Sequence, residues 1–334
     1  MGRAVKVLRL PSFAKVNLGL EVLGTRADGY HELRTIFQTI TLHDDVELRP
    51  HAAAIEVRCD HPGVPTDHTN LAHRAAEELR RFAGVAKGVT ITITKRIPVA
   101  GGLGGGSSNA AVVLVGLDRL WGLGLGPARL HPLARRLGAD VPYFLVGGTA
   151  LGLGRGDEVY PLLRQVQAHV VVVVPDRPLS TAAVFRRLDR GLTPRENANN
   201  IFRFVSSQLD GQGDAFRGLS NDLEWAALEE DPGLEVQGRD IRGILIREGA
   251  LFVSLSGSGA AFFGVFADAG GAQSARSALV ARGFRAVRGR TLSLDRYRRM
   301  LSQPLSAPKR RRGTNPGRSG HHGDHGRQGH SRRR

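Results

Sequence analysis

The sequence predicts an α+β fold in two domains. It opens on strictly alternating β segments and then interleaves strand with helix; near Leu162 the pattern restarts with a five-valine strand. With 334 residues, 41% of them hydrophobic, the chain can fill two cores. The second half reads as one layer of helices on an antiparallel sheet. The boundaries fall at 1–160 and 161–300, followed by a basic tail over 301–334.

In order, "FAKVNLGLEVL" sends Val16, Leu18, Leu20 and Val22 to one side and Lys15, Asn17, Gly19 and Glu21 to the other. That pattern predicts a half-buried strand with a polar working face. "TRADGYHEL" is a turn broken at Asp28-Gly29, and "RTIFQTITL" is the next strand. "DDVELRP" and "AAIEVRCD" continue the β-rich opening. "TNLAHRAAEELRRFAG" has a Thr/Asn start, helical spacing and a glycine stop. "GVTITITKRIPV" is a strand feeding a glycine loop, and "SNAAVVLVGLDRLWG" is the buried helix after it. "HPLARRLGADVPYFLVGGTALGLG" gives a helix, a loop and a strand. In the second half "AHVVVVVPD" is a strand, while "STAAVFRRLDR" and "NDLEWAALEE" are helical. "GALFVSLSGSGAAFFGVFAD" makes two strands around a small-residue turn; "AQSARSALVARG" is a helix and "RAVRGRTL" a closing strand.

Composition removes several classes of function. No apolar run is long enough to span a membrane. The first twenty residues lack a secretory signal's apolar core, and the one cysteine, Cys59, has no internal partner. A reducing cytoplasm is the expected setting. The net charge of +16 suggests nucleic acid, but residues 304–334 carry nine cations against the single acid Asp324, which is +8. That segment is nearly devoid of apolar residues, so it is expected to be disordered, with at most nonspecific contacts to polyanions. The remaining charge suits an enzyme acting on polyanionic substrates. Only five lysines stand among the 47 basic residues, so a lysine inside a motif points to a need for a compact ammonium.

"PVAGGLGGGSSNAA", residues 98–111, is the most informative stretch. It is not a P-loop, because Ser107 rather than lysine follows Gly106. Nor is it a dinucleotide fingerprint, because Ser107 stands where the third glycine belongs after Gly102 and Gly104. The physics of both survives: glycines clear the approach, and Ser107-Ser108-Asn109 are suited to start a helix. Unpaired N–H groups and the positive end of the helix dipole then face an anion.

This loop resembles the phosphate loop of the GHMP small-molecule kinases. "FAKVNLGLEVLGTRADGYHEL", "GADVPYFLVGGTALGLGRGDEVYPL" and "LSGSGAAFFGVF" extend the resemblance, in order, over roughly residues 10–295. It implies a ribosomal-S5-like ATP-binding domain, a ferredoxin-like second domain and a substrate cleft between them. By this resemblance Pro98, Val99, Ala100, Gly101, Gly102, Leu103, Gly104, Gly105, Gly106, Ser107 and Ser108 hold ATP. Lys15 and Asp140 flank the acceptor hydroxyl, where Asp140 takes the proton and Lys15 stabilises the developing alkoxide. Taken alone, Asp140 reads as a helix cap before Val141-Pro142 rather than as a catalytic residue.

The resemblance further implies a small-molecule substrate built on cytidine diphosphate. Tyr30 would stack on the base and His31 contact it, with Phe185 as a second aromatic wall or else a core phenylalanine. Asn17, on the face of Lys15, is placed for substrate hydroxyls. Gly257, Ser258 and Gly259 form an anion nest or a point of close backbone packing. Lys95 is placed to approach the nucleotide. ATP brings Mg²⁺ through its phosphate charge; its protein ligand is unassigned, with Ser108 one option. Another GHMP kinase, acting on homoserine or mevalonate, is the alternative; "DGYH" opposes it because those substrates carry no base. A nucleic-acid-binding protein is the alternative of a different class. Oligomeric state is not legible.

Overall fold

The structure, a computed structural model, describes residues 7–191, 199–210, 216–303 and 305. The expected basic tail lies outside the described residues apart from 301–303 and 305.

The first domain contains β1 (Leu8–Thr25), β2 (His31–His51), β3 (Ile55–Cys59), α1 (Leu71–Ala83) and β4 (Gly88–Thr94). It continues through α2 (Gly105–Trp121), α3 (Gly126–Leu137), the short α4 (Tyr143–Val146), β5 (Thr149–Gly154) and β6 (Glu158–Pro161). Its sheet runs β3-β4-β2-β5-β6, with β1 paired antiparallel to β2. The two strand segments expected between Arg34 and Pro50 are one 21-residue strand. β1 is likewise longer than expected, and its pairing slips at three places along its length. Each slip changes which face the next side chain takes.

The second domain runs β7 (His169–Val174), α5 (Thr181–Gly191), α6 (Asn200–Asp210), α7 (Leu223–Glu230) and α8 (Pro232–Arg247). It closes with β8 (Phe252–Leu255), β9 (Phe262–Phe266), α9 (Ala269–Ala281) and β10 (Arg285–Arg290). The sheet order is β10-β7-β9-β8, and every pair is antiparallel. Numbered by its own strands this is 4-1-3-2, the ferredoxin-like arrangement.

The two sheets pack face to face, with helices on both outer sides. One core lies between the first sheet and α1, α2 and α3. A second joins Val16, Leu18 and Ile36 of the first sheet to Val170, Val172 and Phe263 of the second. The third lies between Val171, Val173 and Phe262 and the helices of the second domain. The valine run is therefore apolar throughout because both its faces are covered. The same packing corrects the reading of β1. Lys15, Asn17 and Glu21 are only 2–3% exposed, so the polar working face is itself covered: Gly257 lies beside Lys15 and Asn17, and the Ile201 N–H donates to Glu21.

A last helix, α10 (Leu294–Ser302), follows the closing strand and was not anticipated. Ser293 caps it by accepting from the Arg296 N–H, and Tyr297 and Leu301 join the core of the first domain. The buried Tyr297 hydroxyl donates to the carbonyl of Phe144 in α4. Tyr297→Ala should cost roughly 3–5 kcal/mol, by emptying this site and orphaning that carbonyl. A thermal melt checks it; an unchanged Tm would mean α10 does not support the core.

Candidate active site

The glycine loop joins β4 to α2, and α2 begins earlier than its serines suggested. Its cap is Gly104, at φ 71° with no side-chain cap bond, so Ser107 and Ser108 lie inside the first turn. The first turn's N–H groups are thus not consumed by a capping side chain, and they meet the requirement for binding an anion. A cavity of about 370 Å³ opens there, lined by residues 98–107 and by Val64, Pro65, Asn70, Leu71 and Lys95. Ser108 lies elsewhere: it is fully buried, and Ser12 Oγ donates to its Oγ at 2.8 Å. It therefore belongs to the support beneath the loop.

Two other elements hold the loop in place. The Lys15 N–H donates to the Leu103 carbonyl at 3.0 Å, and Ser256 Oγ donates to the Gly102 carbonyl at 3.0 Å. The Ala261 N–H donates to the Gly101 carbonyl at 3.3 Å. Both sequence readings of the small-residue turn thus have a counterpart: it packs on the glycine loop, and Gly257 and Ser258 also line the neighbouring cleft. Gly259 does not line that cleft and faces Leu255. Lys95 Nζ donates to the fully buried Asp44 carboxylate at 2.5 Å, and Asp44 also accepts from the Arg96 and Ile97 N–H groups.

The second cleft, about 730 Å³, shares Gly102, Gly104 and Ser107 with the first. Lys15 and Asp140 stand on its wall, with Lys15 Nζ 3.5 Å from Asp140 Oδ2. The Lys15 side chain is nearly buried, while the Asp140 side chain is 34% exposed and open to a ligand. Lys15 Nζ also donates to Asn17 Oδ1 at 2.7 Å, and Asn17 Nδ2 donates to Thr35 Oγ1 at 2.8 Å. Asn17 thus has one bond at each end of its amide inside the protein, and its main office is to fix Lys15. An ammonium has three protons. The hydrogen bond to Asn17 uses one of them, and the contact with Asp140 is an ion pair without a hydrogen bond, so two remain for a substrate. Asp140 sits in the turn between α3 and α4 and caps neither by its side chain.

The far end of the cleft is aromatic. The Tyr30 N–H donates to Asp28 Oδ1, and Tyr30 is 54% exposed, with the Arg155 guanidinium 4.7 Å from its ring centroid. His31 stacks on Phe185 at 4.6 Å, and Asp189 Oδ1 lies 2.7 Å from its Nε2. Phe185 is therefore both a wall of the cleft and a partner of the second domain's core. Arg155 is anchored by the buried Asp157. Burial alone would raise that carboxyl, but hydrogen bonds from Arg155 and Arg135 hold it below the ordinary aspartate range.

The family profile of the GHMP kinases N terminal domain matches residues 70–148, and that of the GHMP kinases C terminal domain matches residues 239–286. A Gloeobacter violaceus protein named 4-diphosphocytidyl-2-C-methyl-D-erythritol kinase is 43% identical over 270 residues, 79% of this chain and 87% of that one. This chain belongs to the 4-diphosphocytidyl-2-C-methyl-D-erythritol kinase family. A Syntrophus aciditrophicus protein of the same name is 38% identical, over 82% of this chain and 95% of that one. A crystal structure of 4-(cytidine 5'-diphospho)-2C-methyl-D-erythritol kinase superposes with a TM-score of 0.70 at 35% identity, covering 85% of this chain and 99% of its own. A homoserine kinase from Cytophaga hutchinsonii, at 19% identity and a TM-score of 0.66, shares the fold over 88% of this chain and 97% of its own. The chain is thus a small-molecule kinase of the GHMP type.

Within this kinase family assignment, the sequence reading brought Lys15, Asn17, Asp140, Tyr30, His31, Phe185, Gly257 and Ser258 to one cleft, where the structure also places them. It overlooked Arg155, Arg186 and Asp189, which line the same cleft. "RGDE" after the glycines of β5 was a usable signal for Arg155. Nothing local marks Asp189, because its partner is 158 residues away.

Proposed function

We propose that this site transfers the γ-phosphoryl group of ATP to the 2-hydroxyl of 4-diphosphocytidyl-2-C-methyl-D-erythritol, giving the 2-phosphate for isoprenoid precursor synthesis outside the mevalonate route. The observation carrying this is that the cavity at the glycine loop and the Lys15–Asp140 cleft meet along Gly102, Gly104 and Ser107. A nucleotide seated on the loop would point its last phosphate into the cleft. An alcohol held between Lys15 and Asp140 would meet it there.

Phosphoryl transfer asks for position and charge neutralisation more than for covalent help. Asp140 accepts the hydroxyl proton, and the Lys15 ammonium stabilises the oxyanion and keeps the carboxylate ionised. The α2 N-terminus takes charge on the phosphates. Tyr30 and the His31–Phe185 pair hold the base, which sets the acceptor's distance from the loop.

Mg²⁺ would be carried chiefly by the nucleotide. Among the described residues no cluster of three or more His, Cys, Asp or Glu could hold a metal. A hard cation keeping its waters and phosphate oxygens needs only one or two protein oxygens, and Ser107, which lines both the loop cavity and the cleft, offers one. Ser108 does not, since its hydroxyl is turned inward. When bound, the metal would neutralise phosphate charge. None of the described helices is long and apolar enough to cross a membrane. With Cys59 as the single thiol, a reducing cytoplasm suits the reaction, and nothing in it calls for nucleic acid.

An ADP-release assay tests the reading, with the cytidyl alcohol set against homoserine and mevalonate. Turnover of either rival at a comparable kcat/KM would overturn it. Tyr30→Ala should raise KM for the cytidyl substrate by about ten- to a hundredfold, the worth of one stacked base, while KM for ATP stays put. An unchanged KM for the cytidyl substrate would remove Tyr30 from base recognition.

A further inference from the structure

We infer that Asp189 selects the tautomer of His31, and that this choice makes the base pocket prefer an amino group over a carbonyl at the base's exocyclic position. The inference rests on the proposed cytidyl substrate and goes beyond it by assigning a specificity role to a residue outside the recognised motifs.

The geometry is direct. Asp189 Oδ1 lies 2.7 Å from His31 Nε2. An ionised carboxylate only accepts hydrogen bonds, so the contact requires a proton on Nε2. In the neutral ring Nδ1 is then bare and acts as an acceptor. The ring cannot easily turn to exchange the two nitrogens. One face lies against Phe185 at 4.6 Å and 28°, and the side chain is only 10% exposed. Nδ1 has no hydrogen-bond partner among the described residues and is not one of the buried unpartnered atoms. It is left for a ligand in the cleft that Tyr30, Phe185 and Asp189 also line.

Cytosine presents an exocyclic amine, a donor, where uracil presents a carbonyl, an acceptor. A bare Nδ1 at that edge bonds the amine and repels the carbonyl. The other tautomer, with the proton on Nδ1, would reverse the preference. Asp189 makes no contact with the base; it is a positioning residue, and its effect passes through the imidazole.

Two measurements test it. A long-range proton–nitrogen NMR spectrum, with His31 assigned by its loss in His31→Gln, should show the Nε2-protonated tautomer in the wild-type protein and a mixture in Asp189→Leu. Competition by CDP and by UDP should show a wild-type preference for CDP. That preference should shrink about tenfold in Asp189→Leu, the size of one hydrogen bond gained or lost. Asp189→Asn retains an accepting oxygen and should keep most of the preference. KM for ATP and the melting temperature serve as controls for folding. A pure Nε2-protonated state persisting in Asp189→Leu, or an undiminished CDP preference there, would overturn the inference while leaving the kinase reading intact. An equal loss in Asp189→Asn would assign the effect to charge and overturn it as well. A wild-type protein indifferent between CDP and UDP would defeat the base-recognition reading itself, and this role of Asp189 with it.

Discussion

Asp140→Ala should lower kcat by about a thousandfold, in the middle of the range for removing a positioned general base. KM for ATP should hardly move, because Asp140 lines the cleft that receives the alcohol and is absent from the lining of the nucleotide cavity. Lys15→Met should be of similar size, since it removes the cation that faces the developing charge. The two losses should not add. The ammonium and the carboxylate are 3.5 Å apart and form one unit, so the double variant should resemble the worse single one. Steady-state kinetics with single-turnover controls would decide the matter. If Asp140→Ala kept more than about a tenth of the wild-type kcat, well above what loss of a general base allows, the proton would have another destination.

Gly102→Ala is expected to harm both fold and activity. A Cβ built there comes within 2.0 Å of the Ser256 carbonyl oxygen, and the residue's φ of +70° is itself unfavourable to alanine. The loop would have to lift off the turn beneath it. A shift on the scale of 1 Å at the reacting phosphate costs about a hundredfold in kcat/KM. Gly106→Ala separates the two causes. A Cβ at that position finds only Leu71 Cδ1, at 3.7 Å, so the protein itself accommodates it. It faces the nucleotide cavity, however, and should weaken ATP binding with no loss of Tm. Normal ATP binding by Gly106→Ala, measured calorimetrically, would mean that the phosphates do not come close at this point.

The sequence made the strands and the loop legible because each is local. β-Branched alternation, glycine spacing and turn pairs need no knowledge of what lies opposite. The face that β1 presents is not local. The alternation marks Lys15, Asn17 and Glu21 as a polar working face, but it does not show that Gly257 and Ile201 of the second domain lie against them and leave them buried. α10 was hidden for a related reason. Its buried residues, Tyr297 and Leu301, are separated by arginines, and its apolar support comes from the distant first domain. Site residues in compact motifs, such as Tyr30-His31 and Asp140, could be located; residues that act through a neighbour, such as Asp44, Asp157 and Asp189, could not.

The place of α10 has a consequence for biosynthesis. Every other element described here leaves the ribosome before it. Until Tyr297 arrives, the Phe144 carbonyl has no phenol to hold it, and the turn carrying Asp140, just upstream, rests on an unfinished floor. The domain translated first is therefore completed last, and a nascent chain halted before residue 293 should bind nucleotide less firmly than its full set of phosphate-loop residues would suggest.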